Sequence, residues 1–171
     1  GKLLVTGEID TRSVPVALPR IGLRLCVSRT FRHVSWRGAG PHECYPDRST
    51  SAVDAVHVTK PEYMTTPYLV PSENGSRTRV KWISLSQTLS GHRVTIDSPG
   101  TFDFSAQIHS TETLSMMTHG SQLNHASTNS PTYLNLDSKL MGVGGDDSWS
   151  ACVQEKYLIK PGVHAVNFCI G

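Results

Sequence analysis

Apolar and polar residues alternate along much of the chain, which is the period of a half-buried strand rather than of a helix. Ile21, Leu23, Leu25 and Val27 share one face, as do Phe102, Phe104, Ala106 and Ile108. Val163 and Ala165 open a third set that runs on through residues 166–170. Further strands are predicted over residues 3–9, 80–85, 133–136 and 153–159, separated by the turn clusters Ser90-Gly91, Ser98-Pro99-Gly100 and Lys160-Pro161-Gly162. Helical turns are expected only within residues 110–123, where Leu114, Met117 and Leu123 can face a sheet. Trp36 and Trp82 stand in strand-like contexts and are expected in the core. Many short strands at this spacing predict an all-β antiparallel sandwich. No repeat, low-complexity tract or linker interrupts the pattern, so one domain over residues 1–171 is expected.

Composition narrows the classes. A length of 171 residues suits a single core, and the 18% charged content fits a surface of Ser, Thr and Asn rather than salt-bridged helices. Sixteen Lys and Arg against 14 Asp and Glu leave +2, and the basic residues form no dense stripe, which argues against nucleic acid. No apolar run approaches the roughly 20 residues of a membrane span, and no basic-then-apolar N-terminal signal is present, so a soluble chain is expected. The four cysteines, Cys26, Cys44, Cys152 and Cys169, show no Cys-x-x-Cys spacing, which argues against structural zinc. Their even number permits two disulfides, with three connectivities open, and makes secretion the expected setting; four buried thiols are the alternative.

Three loops exceed what a connection needs. They are Gly38-Ala39-Gly40-Pro41-His42-Glu43-Cys44-Tyr45-Pro46-Asp47-Arg48, Pro71-Ser72-Glu73-Asn74-Gly75-Ser76-Arg77, and Gly142-Val143-Gly144-Gly145-Asp146-Asp147-Ser148-Trp149-Ser150. Each joins permissive Gly or Pro to hydrogen-bonding side chains, and two carry an aromatic ring. Together they are expected to form one polar site.

The first loop resembles the G-P-x-E-x-Y-P-D-R segment of the large β-galactosidases of glycoside hydrolase family two. Thr66-Pro67-Tyr68-Leu69-Val70-Pro71-Ser72-Glu73-Asn74-Gly75 is similar to their T-P-Y-x-x-P-x-E-N-G segment. Leu134-Asn135-Leu136-Asp137, followed by Gly144-Gly145-Asp146-Asp147-Ser148-Trp149-Ser150, resembles their L-N-x-D and G-G-D-D-S-W-S segments. Order and spacing agree over nearly the whole chain. The resemblance is to the last domain of those enzymes, a β-sandwich of the galactose-mutarotase-like type.

The family's two catalytic glutamates sit in a (β/α)₈ barrel of about 250 residues, which this chain cannot contain. The resemblance therefore implies a stand-alone galactose-specific lectin without enzymatic activity, like lectins of marine invertebrates that resemble part of β-galactosidase, some of them calcium-dependent. Trp149 matches the family's pocket-lining tryptophan and would stack on the C–H face of galactose. Asp146 and Asp147 would accept from its hydroxyls, with His42, Glu43, Glu73, Asn74 and Arg77 as further sugar contacts and Arg77 or Arg79 as a compensating cation. Calcium takes six to eight oxygens, and Asp146, Asp147, Glu73 and Asn74 are the expected ligands. Asp47 and Arg48 are expected to form a buried fork pair.

Disulfides Cys44–Cys152 and Cys26–Cys169 are the hypothesised pairing. Asn74-Gly75-Ser76 is a formal glycosylation acceptor that the site reading predicts to be unmodified. Galactose, lactose or galactose-terminated glycans would be the ligands, and avidity favours a homodimer. Three other readings compete. One is a small subunit or terminal domain of a β-galactosidase that needs a separate catalytic barrel. Another is a mutarotase-like epimerase using His42 or His119 with Glu43 or Glu73. The last is retaining hydrolysis by Glu43 and Glu73 held about 5 Å apart.

Overall fold

Eight antiparallel strands make up the framework of the chain, whose computed structural model describes residues 1–88, 91–125, 130–144 and 152–171. They are β1 (Leu3–Asp10), β2 (Arg20–Val27), β3 (Phe31–Gly40), β4 (Val53–Thr59), β5 (Arg77–Gln87), β6 (Arg93–Gln107), β7 (Thr132–Leu140) and β8 (Val163–Ile170). The order β1-β8-β6-β5-β3-β4 forms one run, and β7 and β2 branch from β6. Strand β6 is the seam. Its first part pairs Ile96 with Ile83 of β5 and Ile170 of β8, whereas its last part pairs Phe104 with Leu136 of β7. A strand long enough to serve both groups folds the sheet onto itself as a β-sandwich, so the expected all-β antiparallel class stands.

Period-two burial follows the alternation in the sequence. Val34 and Trp36 of β3, Ile83 and Leu85 of β5, Phe102, Phe104 and Ala106 of β6, Leu134 and Leu136 of β7, and Val166 and Phe168 of β8 all meet in one core. The Trp36 ring meets Phe104 edge-on at 5.6 Å, and its Nε1 donates to the Ala39 carbonyl at 3.0 Å, so the polar end of the indole is satisfied inside. Trp82 behaves differently from expectation. It lies one register step from Ile83, which turns it to the opposite face, where it is only half-buried.

Other departures have local causes. Residues 153–159 form no strand; they carry a 3-10 turn at Glu155–Tyr157, and only Ile159 makes an isolated bridge, to Leu18. Ser98-Pro99-Gly100 is not a turn between strands but lies within β6. The β5 ladder passes from the Val80–Phe102 pair to the Trp82–Asp97 pair with a register shift, so these residues have no partner in that ladder and proline costs no hydrogen bond there. Strands β3 and β4 were not apparent in the alternation, since β4 is an edge strand with Val53, Val56 and Val58 exposed. The helix α1 (Thr111–Met116) is capped by Ser110, whose hydroxyl accepts from Thr113 N, and a 3-10 segment spans Gly120–His125. Both lie where helical turns were expected.

At the β2–β7 bulge, Gly22 passes so close to β7 that a Cβ would stand 2.0 Å from the Leu136 carbonyl oxygen. Gly22→Ala should therefore lower stability by about 1–3 kcal/mol or more, as overpacked sites do, read from the urea midpoint. An unchanged midpoint would mean that the strands part there without cost.

Candidate functional site

The first two loops are bound together through one carboxylate. Glu43, whose side chain is 8% exposed, lies just beyond β3, where the chain leaves the sheet. Among the described residues its Oε2 accepts from Gly75 N at 2.6 Å and from Thr66 Oγ1 at 2.9 Å. Its Oε1 accepts from Tyr68 Oη at 2.5 Å and from the Arg48 guanidinium. Gly75 adopts φ +79, and a Cβ there would lie 2.6 Å from the Met64 carbonyl, so glycine is what lets this amide reach the carboxylate.

Neighbouring contacts extend the clasp. Cys44 N donates to the Ser76 carbonyl at 2.9 Å, and Tyr45 Oη donates to Glu73 Oε1 at 3.1 Å. Asn74 is buried; its Oδ1 accepts from Thr66 N at 3.1 Å and Gln107 Nε2 at 2.5 Å, while its Nδ2 donates to the Ser72 carbonyl at 2.8 Å. Arg77 is buried over the Trp36 ring and donates to the Pro41, Gly75 and Ser76 carbonyls. The start of the third loop joins through Asp47, whose Oδ2 accepts from Gly144 N at 2.7 Å. All three loops thus meet, as far as residue 144.

Against this cluster opens a cleft of about 890 Å³. Tyr68, Leu69, Val70, Leu140, Met141 and Val143 line it, with Arg20, Arg24, Arg48 and Glu73 supplying charge. Val143 and Val153, on either side of residues 145–151, both line it. At its base Arg20 pairs with Glu73 at 2.8 Å and reaches Asp137 at 3.7 Å. Asp137 sits opposite Asp103 across β6 and β7. Burial, with the nearby Asp103 and Glu73 charges and against the pull of Arg20, pushes the Asp137 carboxyl up to about 7. Burial raises Asp103 to about 6, although Arg79 N donates to it. Burial, then the charges of Glu73 and Glu43, drive the Tyr45 phenol upward.

Several expected site residues are engaged by other parts of the chain. Glu43, Asn74 and Arg77 are turned inward and engaged as described, and His42 is exposed with Nε2 3.0 Å from Ser51 Oγ. Arg48 pairs with Glu43 rather than Asp47, so the expected fork pair does not form. Of the described contacts proposed from sequence, only Glu73 lines the cleft. Asp146, Asp147 and Trp149 lie outside the described residues. Arg20, Arg24, Tyr68 and Asp137 were missed as participants. Tyr68 and Asp137 stood within the quoted T-P-Y and L-N-x-D motifs, but no signal in the chain set Arg20 apart.

The described residues thus define an all-β sandwich whose loops are clasped beside an open cleft. The chain matches the family described as the β-galactosidase small chain over residues 2–170, and it belongs to that family. It is similar to the β-galactosidase of Psychromonas ingrahamii, 40% identical over 160 residues, covering 94% of this chain and 14% of that protein. The Yersinia enterocolitica β-galactosidase is 36% identical over 170 residues, covering 99% and 15%, and that of Vibrio cholerae 38% over 143 residues, covering 83% and 13%. The chain thus spans 13 to 15% of these relatives and corresponds to a terminal domain of β-galactosidase.

These findings correct several expectations. The expectation of a lectin outside any enzyme is overturned, because the relatives are β-galactosidases, enzymes by name, of which this chain covers a small part. The disulfides are absent: all four cysteines are free, and buried Cys44 Sγ instead accepts from Thr78 N at 3.4 Å. Secretion, which rested on those bridges, falls with them, and the relatives are bacterial β-galactosidases. Among the described residues no three His, Cys, Asp or Glu are placed to hold a metal. Of the expected calcium ligands, Asn74 faces Thr66 and Gln107 and Glu73 pairs with Arg20, while Asp146 and Asp147 lie outside the described residues. No described helix is long and apolar enough to cross a membrane.

Glu43→Ala would strip the shared acceptor from Gly75 N, Thr66 and Tyr68; a loss of about 1–3 kcal/mol in chemical denaturation is expected, with His42→Ala near neutral. Equal stabilities would remove Glu43 from its structural role. Asp137 and Asp103 titrate higher when folded than their ordinary 3.8, so folding takes up protons. The stability they contribute is fully present below about 3.8 and is lost as pH rises through about 6 and about 7. Asp137→Asn should flatten that decline in a Tm series from pH 4 to 8; a parallel series would count against a raised Asp137.

Proposed function

We propose that this chain is the non-catalytic small chain of a β-galactosidase, acting in galactoside hydrolysis together with a catalytic part that it does not itself contain. The observation that carries this is the match over residues 2–170 to the small-chain family, with β-galactosidase relatives of which the chain spans about one seventh. The described residues make strands and one short helix, which supports placing a (β/α)₈ barrel elsewhere.

In this reading the chain completes the galactose pocket. Trp149 covers the C–H face left by the axial 4-hydroxyl, and Asp146 and Asp147 accept from neighbouring hydroxyls. Two features support that assignment: the resemblance of the segment to the family's G-G-D-D-S-W-S, and the position of Val143 and Val153 at the cleft on either side of it. The clasp centred on Glu43 then holds the cleft open for the sugar.

Co-expression of the chain with the Psychromonas ingrahamii β-galactosidase lacking its matching segment tests the reading. Hydrolysis of a nitrophenyl galactoside should rise well above that of either polypeptide expressed singly. Trp149→Ala should lower kcat/KM of the assembly about tenfold, corresponding to ~1.4 kcal/mol of transition-state binding, while leaving association intact. Failure to associate would overturn the small-chain reading; association with an unaffected Trp149→Ala would overturn only the pocket assignment.

A further inference from the structure

Three strands, β1, β2 and β4, each pair with a single neighbour among the described strands. The unpaired N–H and C=O groups of such an edge are a template for another strand unless charge, proline or a covering segment blunts it. Strand β2 is mostly covered and exposes only Arg24 and Cys26. Strand β4 is open, with Val56 56% and Val58 68% exposed. Lys60, the residue after β4, keeps extended backbone at φ −109 and ψ 151, so the alternation of the strand runs on through it. Asp54, Val56, Val58 and Lys60 therefore stand exposed on one face of the edge.

Read in the two directions, that row is its own complement: an acid, two valines and a base meet a base, two valines and an acid. We propose that β4 is a self-association edge, on which two copies of this chain pair antiparallel about a two-fold axis at His57 and join their sheets. In this register Val56 lies opposite Val58 of the partner subunit and Asp54 opposite Lys60 of the partner subunit, and the two-fold repeats both pairs. Moving the axis by one residue destroys the match. An axis at Val56 sets Asp54 against a valine, and an axis at Val58 sets Val56 against a lysine. His57 falls on the axis and is held within its own chain, by the Trp36 ring at 5.0 Å and the Val53 carbonyl at 3.0 Å. The edge at β1 lacks this complementarity, because the register that sets Lys2 against Asp10 also sets Leu4 against Glu8, and Asp10 is already paired with Arg12. Pairing through one strand buries less than the roughly 1,200 Å² at which standard interfaces begin, so the association is weak and concentration-dependent. The proposal stands on β4 alone and does not depend on the small-chain reading.

Sedimentation velocity of the chain over a concentration series tests it, and should show monomer and dimer in equilibrium. Val56→Lys and Val58→Lys should each weaken the dimer at least tenfold, whereas Leu4→Lys on β1 leaves it unchanged. Lys60→Glu should also weaken it, by facing Asp54 of the partner subunit with a like charge. Asp54→Lys combined with Lys60→Glu should then restore association, which a valine patch without a fixed register would not do. Circular dichroism and Tm check that each variant is folded. A monomer at every concentration overturns the proposal, and so does a dimer indifferent to Val56→Lys and Val58→Lys. Loss without recovery in the charge-swapped double variant overturns the register. A chain that is monomeric alone, but whose co-purification with the truncated β-galactosidase is abolished by Val56→Lys, would assign the edge to that partner and overturn self-association.

Discussion

The arrangement of the loops depends on the Glu43 carboxylate, which is nearly withdrawn from water yet accepts from a backbone amide, two hydroxyls and a guanidinium. A buried carboxylate is costly unless each lone pair finds a donor, and here the donors come from separate stretches of chain. Gly75 belongs to the second loop, Thr66 and Tyr68 to the segment before it, and Arg48 to the end of the first. Satisfying one charge therefore fixes the relative positions of residues 43–48, 66–68 and 75. Asn74 and Arg77 add neutral and charge-assisted bonds to backbone carbonyls and amides, so the loops need no regular secondary structure to be rigid.

A second constraint lies beneath the cleft. Asp103 and Asp137 face each other on adjacent strands, and both resist ionisation because burial is only partly offset by Arg20 and Arg79. Arg20 divides its guanidinium between Glu73 above and Asp137 below, linking the second loop to the sheet floor. The clasp and this ion network meet at Glu73, which also accepts from Tyr45. Glu73 also lines the cleft, so the sheet and the first two loops are joined at its wall.

Much of the framework was legible in the chain. Alternation at Phe102, Phe104 and Ala106 and at Leu134 and Leu136 marked strands whose inward faces build the core. The edge strand β4 hid because an edge with one covered side tolerates valines that face water, which blurs the period. The 98–100 tripeptide misled for the reverse reason: Pro and Gly were accommodated at a register shift, so the break in the pattern was not a break in the strand. The loops were recognised as special, but acidic and amide side chains were assigned outward to a ligand. Nothing in Glu43, Asn74 or Arg77 as residue types distinguishes a ligand contact from a lock on neighbouring backbone.

By itself the sequence determined the all-β class, the three special loops and the resemblance to the terminal domain of β-galactosidases, because strand period, turn chemistry and long motifs are local properties of the chain. Only the tertiary structure decided what the polar residues of those loops do. Whether a carboxylate meets water, a sugar or four donors depends on contacts between residues far apart in sequence, such as Glu43 with Gly75 and Arg20 with Asp137. The thiols show the same division: their number invited pairing, and it was the fold that placed Cys44 against Thr78 and left all four unbridged.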